Sequence, residues 1–233
     1  MTKVAIIQSN YIPWKGYFDI INDSDIFIFL DDVQYTKNDW RNRNKIKTSN
    51  GASWLTIPTG SNLNRLINEV ELKNSNWQKE HWNKIEINYK DAAYFGEYRA
   101  LFEDIYLNKE WTNLSVMNQY IIKMIAKEIL NIKTIFMNSS ELEQDGKKQE
   151  KVISLVNTVN GETYISGPAA KNYNDDSLFI ENGIHLVYKD YSNYPEYEQF
   201  HAPFEHGVSI LDLIFHKGPD APYYIWGWRD ITD

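Results

Sequence analysis

The chain has 233 residues, 42% of them hydrophobic and 15% aromatic, with 16 Tyr and 8 Trp; that is enough for a packed core and too apolar for disorder. Its formal net charge of −8 argues against a broad nucleic-acid footprint, because phosphate-tracking surfaces are basic. Cysteine is absent, which excludes disulfides, thiolate nucleophiles, cysteine-bound zinc and iron–sulfur clusters.

In chain order, MTKVAII lacks the long apolar stretch of a targeting segment, and no later run approaches a membrane span. We therefore expect a soluble cytoplasmic protein with no membrane insertion. Val4–Gln8 reads as a buried first strand, and 17–22 opens a short helix. The second strand, 25–30, contains IFIFL, apolar throughout as a strand covered on both faces would be. Trp54–Pro58 is a third strand, signalled by the Asn50-Gly51 turn, and 69–72 is a candidate fourth.

From 76 to 131 the pattern turns helical, with Leu114, Met117, Tyr120, Ile121, Met124 and Ile125 at three- and four-residue spacing. Residues 132–137 read as a strand, 148–157 as a helix, 163–166 and 184–188 as strands, and a last helix lies near 208–215. Strands alternating with helices predict an α/β fold, a Rossmann-like and mainly parallel sheet, in a single domain over 1–233 with a helical insertion at about 76–131.

Dense polar and aromatic clusters follow the first two strands, where an open α/β sheet places its ligand crevice. The first holds Gln8, Asn10, Tyr11, Trp14 and Tyr17: amides that read hydroxyls or base edges, beside rings that stack. The alternative is a capped strand-to-helix loop with buried aromatics. The second holds Asp31, Asp32, Gln34 and Trp40, then Lys37, Arg41, Arg43, Lys45 and Lys47, against one acid, Asp39, in 37–47. The forked donors of Arg41 and Arg43 suit phosphate or carboxylate, although a solvated charge run would look the same. If the stretch is extended, Asn42 and Asn44 face away from Arg41 and Arg43.

One of Asp31 and Asp32 is expected to act as base or orienter; without further ligands at fixed spacing we assign no metal. His201 and His206 flank a Pro-Phe turn as candidate bases, and His81 reads as structural. Ser209, Asp212 and His216 share a helix face, but a polar face explains that spacing better than a triad. Ser166, in Tyr-Ile-Ser-Gly-Pro, ends a strand in a turn that a ligand can approach.

The runs QSNYIPWKGYFD, FLDDVQYTKNDWRNRNKIK, WLTIP, YISG and FEHGVSILDLIFHKG resemble the WbqC-like family of bacterial surface-polysaccharide gene clusters over nearly the whole chain. The family's His-Gln-Pro-Asn at the end of the first strand is Ile7-Gln8-Ser9-Asn10 here, so no catalytic role for that histidine carries over. A more distant likeness is to nucleotidylyltransferases and pantothenate synthetase-like ligases. Their His-x-Gly-His is replaced by Trp14-Lys15-Gly16-Tyr17, with both histidines lost.

The resemblance implies a transferase in O-antigen or similar glycan biosynthesis, N-acylating a nucleotide-linked amino sugar. On that reading Arg41, Arg43 and Lys45 hold the pyrophosphate or the anionic end of the acyl donor. Trp14, Tyr17 or Trp40 stack on a ring, Gln8, Asn10 and Gln34 read hydroxyls, and Asp32 or His206 removes the proton from the sugar ammonium. No tightly bound cofactor is expected. The donor is open between a thioester on coenzyme A or a carrier protein, an acyl phosphate and an aminoacyl-tRNA, the last least favoured by charge. The alternatives are an ATP-dependent ligase that makes its own acyl adenylate and a non-catalytic nucleotide-sugar-binding module.

Overall fold

A computed structural model describes residues 1–73 and 75–231. The chain runs β1 (Lys3–Ile7), α1 (Lys15–Asp23), β2 (Ile26–Phe29), β3 (Arg43–Thr48), β4 (Gly51–Thr56), α2 (Asn76–Tyr89), α3 (Phe95–Glu103) and α4 (Leu114–Met124). It continues through β5 (Ile135–Asn138), α5 (Gln149–Thr158), β6 (Thr163–Ser166), α6 (Asp176–Glu181), β7 (His185–Tyr188) and α7 (Ile210–Lys217). Contacts divide it into two compact units. The first comprises Met1–Gln8, Gly16–Asp32 and Ile132–Asn193; the second comprises Ser9–Lys15, Val33–Asn131 and the chain from Tyr194 onward.

The first unit is built on a five-stranded, wholly parallel sheet in the order β5-β2-β1-β6-β7. Numbered within the sheet this is 3-2-1-4-5, the order of a doubly wound Rossmann-like fold, with its switch point between β1 and β6. The register pairs Val4 with Ile26 and Ile6 with Ile28, so their side chains share one face. There they meet Ile153 and Val156 of α5, Tyr164 of β6 and Phe179 of α6. The opposite face carries Phe27, which meets Tyr17 of α1 at 5.6 Å and Phe136 at 5.9 Å between ring centroids. Apolar residues on both faces are what IFIF supplies, and all four residues of β2 are buried.

The second unit holds the β3–β4 antiparallel hairpin, the helices of the insertion and α7. The β3 pattern alternates: Asn42, Asn44 and Ile46 are buried, while Arg43 and Lys45 lie on the more open face. The core is aromatic, with Phe215 of α7 packed on Phe95 at 5.1 Å and on Phe102 at 5.4 Å. Residues 69–72 are not a strand. Ile67–Glu69 is a 3₁₀ turn and Glu71 makes an isolated bridge with Asn113, a segment too short to sustain a ladder. Among the described residues no helix is long and apolar enough to cross a membrane.

Candidate functional site

The segment leaving β1 turns sharply at Ile12, a buried residue with φ of 35°. A β-branched residue in the left-handed region is strained, and Pro13 restricts its predecessor further. The turn is held by Asn44 of β3, whose side-chain amide donates to the backbone oxygens of Tyr11 at 3.0 Å and Ile12 at 2.9 Å. Asn44 Oδ1 accepts from the Lys45 N–H, so this buried amide is committed to backbone. From the other side, the N–H of Ile210 at the start of α7 donates to the Pro13 oxygen, and Ser209 N–H donates to that of Lys45.

These restraints enclose a cavity of about 350 Å³ lined by Asn10, Pro13, Trp14, Trp40, Asn44 and Gly207. Its wall is mostly indole and proline, with the amides of Asn10 and Asn44 beside them. Asn10 Oδ1 is buried and has no hydrogen-bond partner among the described residues. Trp40 continues the wall outward and meets Trp54 of β4 at 5.6 Å; the two indoles are 43% and 37% exposed. The Arg43 guanidinium lies 4.1 Å from the Trp54 ring centroid and the Lys45 ammonium 5.2 Å.

Behind the turn, the Tyr11 hydroxyl lies 2.9 Å from His81 Nδ1 and 2.5 Å from the Tyr106 hydroxyl. Burial drives the Tyr11 and Tyr106 hydroxyls up and lowers His81 to about 4, with a Thr56 backbone hydrogen bond opposing that fall. His206 immediately precedes Gly207 of the cavity wall, and its ring packs on Phe204 at 4.6 Å. Partial burial and the Lys15 ammonium lower its pKa, so the imidazole is neutral at pH 7. Lys15 is itself buried among Tyr194, Tyr197 and Phe204, and donates to the Pro195 oxygen.

A model of the WbqC-like protein family matches residues 8–224. The chain belongs to the WbqC-like family. It is also 44% identical over 227 residues to "Uncharacterized protein Rv1507c" of Mycobacterium tuberculosis, covering 97% of this chain and 98% of that protein. No solved structure matches it.

Within this WbqC-like chain, Asn10, Trp14 and Trp40 come together in one cavity, and Arg43 and Lys45 flank the neighbouring indole. Tyr11 lies fully buried behind them and supports the turn. Arg41 is paired with Asp39 at 2.7 Å, which neutralises it locally. Gln34 donates its amide to the Leu63 and Tyr35 oxygens.

Gln8, Tyr17, Asp32 and Ser166 belong to the first unit. The Tyr17 hydroxyl donates to the Gln8 backbone oxygen at 2.9 Å, and Ser166 is buried at the end of β6. Asp32 accepts from Ser139, from Gln144 at 2.7 Å and from Lys151 at 2.8 Å. Burial raises its pKa, but those three donors outweigh it and hold the carboxyl below the usual range.

Ser209, Asp212 and His216 form no triad. Ser209 caps α7 by accepting from the Leu211 N–H, and Asp212 accepts from the Tyr89, Tyr197 and Gln199 side chains. His216 Nδ1 lies 2.7 Å from the Asp212 backbone oxygen. Among the described residues no cluster of three or more His, Asp or Glu could hold a metal. Pro13, Asn44, Trp54 and Gly207 had no chemical signature of their own. Only the Asn/Arg alternation of 41–45 hinted at Asn44.

Proposed function

We propose that this WbqC-like protein N-acylates the amine of a nucleotide-linked amino sugar, with the sugar ring in the Asn10–Trp14–Trp40 cavity. The carrying observation is the buried Asn10 amide, whose Oδ1 has no hydrogen-bond partner among the described residues, in a wall it shares with Trp14, Trp40, Pro13, Asn44 and Gly207. Indole faces suit the C–H faces of a sugar ring, and an unpaired amide suits one of its hydroxyls.

His206 serves as the base. It is neutral near pH 7 and stands beside the cavity wall, whereas Asp32 is ion-paired and held in its weakly basic, ionised form. With a thioester donor, the proton of the sugar ammonium goes to His206 and the freed nitrogen attacks the acyl carbonyl. The C–N bond forms, the C–S bond breaks, and the departing thiolate takes up a proton. No tightly bound cofactor takes part.

Purified protein is mixed with nucleotide-linked amino sugars and acyl thioesters, and the amide product is followed by mass spectrometry. His206→Gln should lower kcat by about 10²-fold or more with KM little changed, the usual contribution of a general base. Asn10→Ala should act mainly on KM. Binding of the sugar nucleotide without turnover under any donor would favour the binding-module reading instead.

The ligase reading draws on a different observation. A nucleotide in a doubly wound sheet sits at the switch point, between β1 and β6, and Gly167 just after β6 has no atom within 4 Å of where a Cβ would stand. ATP-dependent pyrophosphate release would favour it.

A further inference from the structure

The outer face of the β3–β4 hairpin combines features the sugar cavity does not use. Cross-strand pairing sets Lys45 directly opposite Trp54, with Arg43 one alternation further along the same face. Lys84 of α2 reaches the same place, its ammonium 3.2 Å from the Trp54 backbone oxygen. Arg43 and Lys45 therefore flank one part-exposed indole while Lys84 is held at its backbone, and none of the three forms an ion pair among the described residues. Arg43 Nε is buried and also lacks a hydrogen-bond partner. In a chain of net charge −8, uncompensated cations gathered at one spot call for an anionic partner.

We propose that this face binds a base joined to a diphosphate, with the base stacked on the Trp40–Trp54 pair and the phosphates held by Arg43, Lys45 and Lys84. Rings of either purine or pyrimidine type stack on indole, and a guanidinium forks onto phosphate oxygens. The link to the cavity is Trp40, which both lines it and touches Trp54. One molecule with its sugar in the cavity passes Trp40 and brings its diphosphate to the cations. The inference rests on the sugar-nucleotide reading for that continuity, while the binding face itself stands on its own geometry. Coenzyme A carries the same base–diphosphate chemistry, so the test separates the two sources.

The experiment is tryptophan-fluorescence and calorimetric titration of the intact protein with UDP, GDP, coenzyme A, uridine and inorganic pyrophosphate. A nucleoside diphosphate should bind at least about tenfold more tightly than uridine or pyrophosphate, since each of these lacks one half of the contacts. Arg43→Gln and Lys84→Gln should each weaken it by about tenfold, the scale of a charged hydrogen bond. Trp54→Leu should do so comparably, and added salt should weaken the wild type more than the charge variants.

Binding of coenzyme A through the same three side chains, with no nucleoside diphosphate bound, would keep the base–diphosphate face but assign it to the acyl donor. Binding of none of them, or binding indifferent to Arg43→Gln, Lys84→Gln and Trp54→Leu alike, overturns the proposal. Nucleoside diphosphate bound as described but no amide formed with any donor would overturn the transferase reading and leave this one standing.

Discussion

Acidification should weaken the fold through His81 before the carboxylates are protonated. The imidazole is only 6% exposed, and burial lowers its pKa from 6.5 to about 4. Above the ordinary value it is neutral in both the folded and unfolded chain and the pH has no purchase on it. As the pH falls through 6.5 the unfolded chain takes up a proton that the folded one refuses, so stability declines. Near pH 4 the folded state binds it too, and the loss is complete. The slope is about 1.4 kcal/mol per pH unit, so the interval removes roughly 3 kcal/mol.

That is a large share of the roughly 5–15 kcal/mol typical of a folded domain. Urea unfolding from about pH 7.5 to about 4.5, wild type against His81→Gln, isolates the effect because the glutamine does not titrate. The wild-type curve should fall toward that of the variant as the pH drops. Curves that run parallel over the whole range would refute the reasoning, since His81 would then be free to protonate in the folded state.

Asn44→Ala should cost roughly 2–4 kcal/mol, because it strands the buried Tyr11 and Ile12 oxygens and loosens the strained turn. Denaturant melts give the cost, and quenching by cavity ligands should be lost at the same time. Lys151→Met should destabilise by roughly 1–3 kcal/mol near neutrality by removing the cation of a largely buried pair. The Asp32 contribution is present above its ordinary value of 3.8 and is lost as the pH falls below it through the lowered folded value. Acid unfolding of Lys151→Met should accordingly begin at higher pH than in wild type. Gly218→Ala should cost about 1 kcal/mol or more, because φ is +49° and the added methyl would fall on the Tyr94 ring. A melting temperature within error of wild type would contradict that packing.

Much of the architecture is a matter of local period, and period is written in the chain. IFIF must be covered on both faces whatever covers it, and the Asn/Arg alternation of 41–45 puts its amides on one side and its cations on the other once extended. The same locality located the clusters after the first two strands and the resemblance that identified the family. Partner choice is not local. That the amide of residue 44 is committed depends on backbone oxygens more than thirty residues from Asn44, and only the closed turn decided it. Tyr11 became a core residue because His81 and Tyr106, far along the chain, occupy its hydroxyl. Gly207 and Trp54 entered the picture for the same reason. A side chain's type limits the bonds it can make, but competition among distant partners in three dimensions determines which of those bonds form.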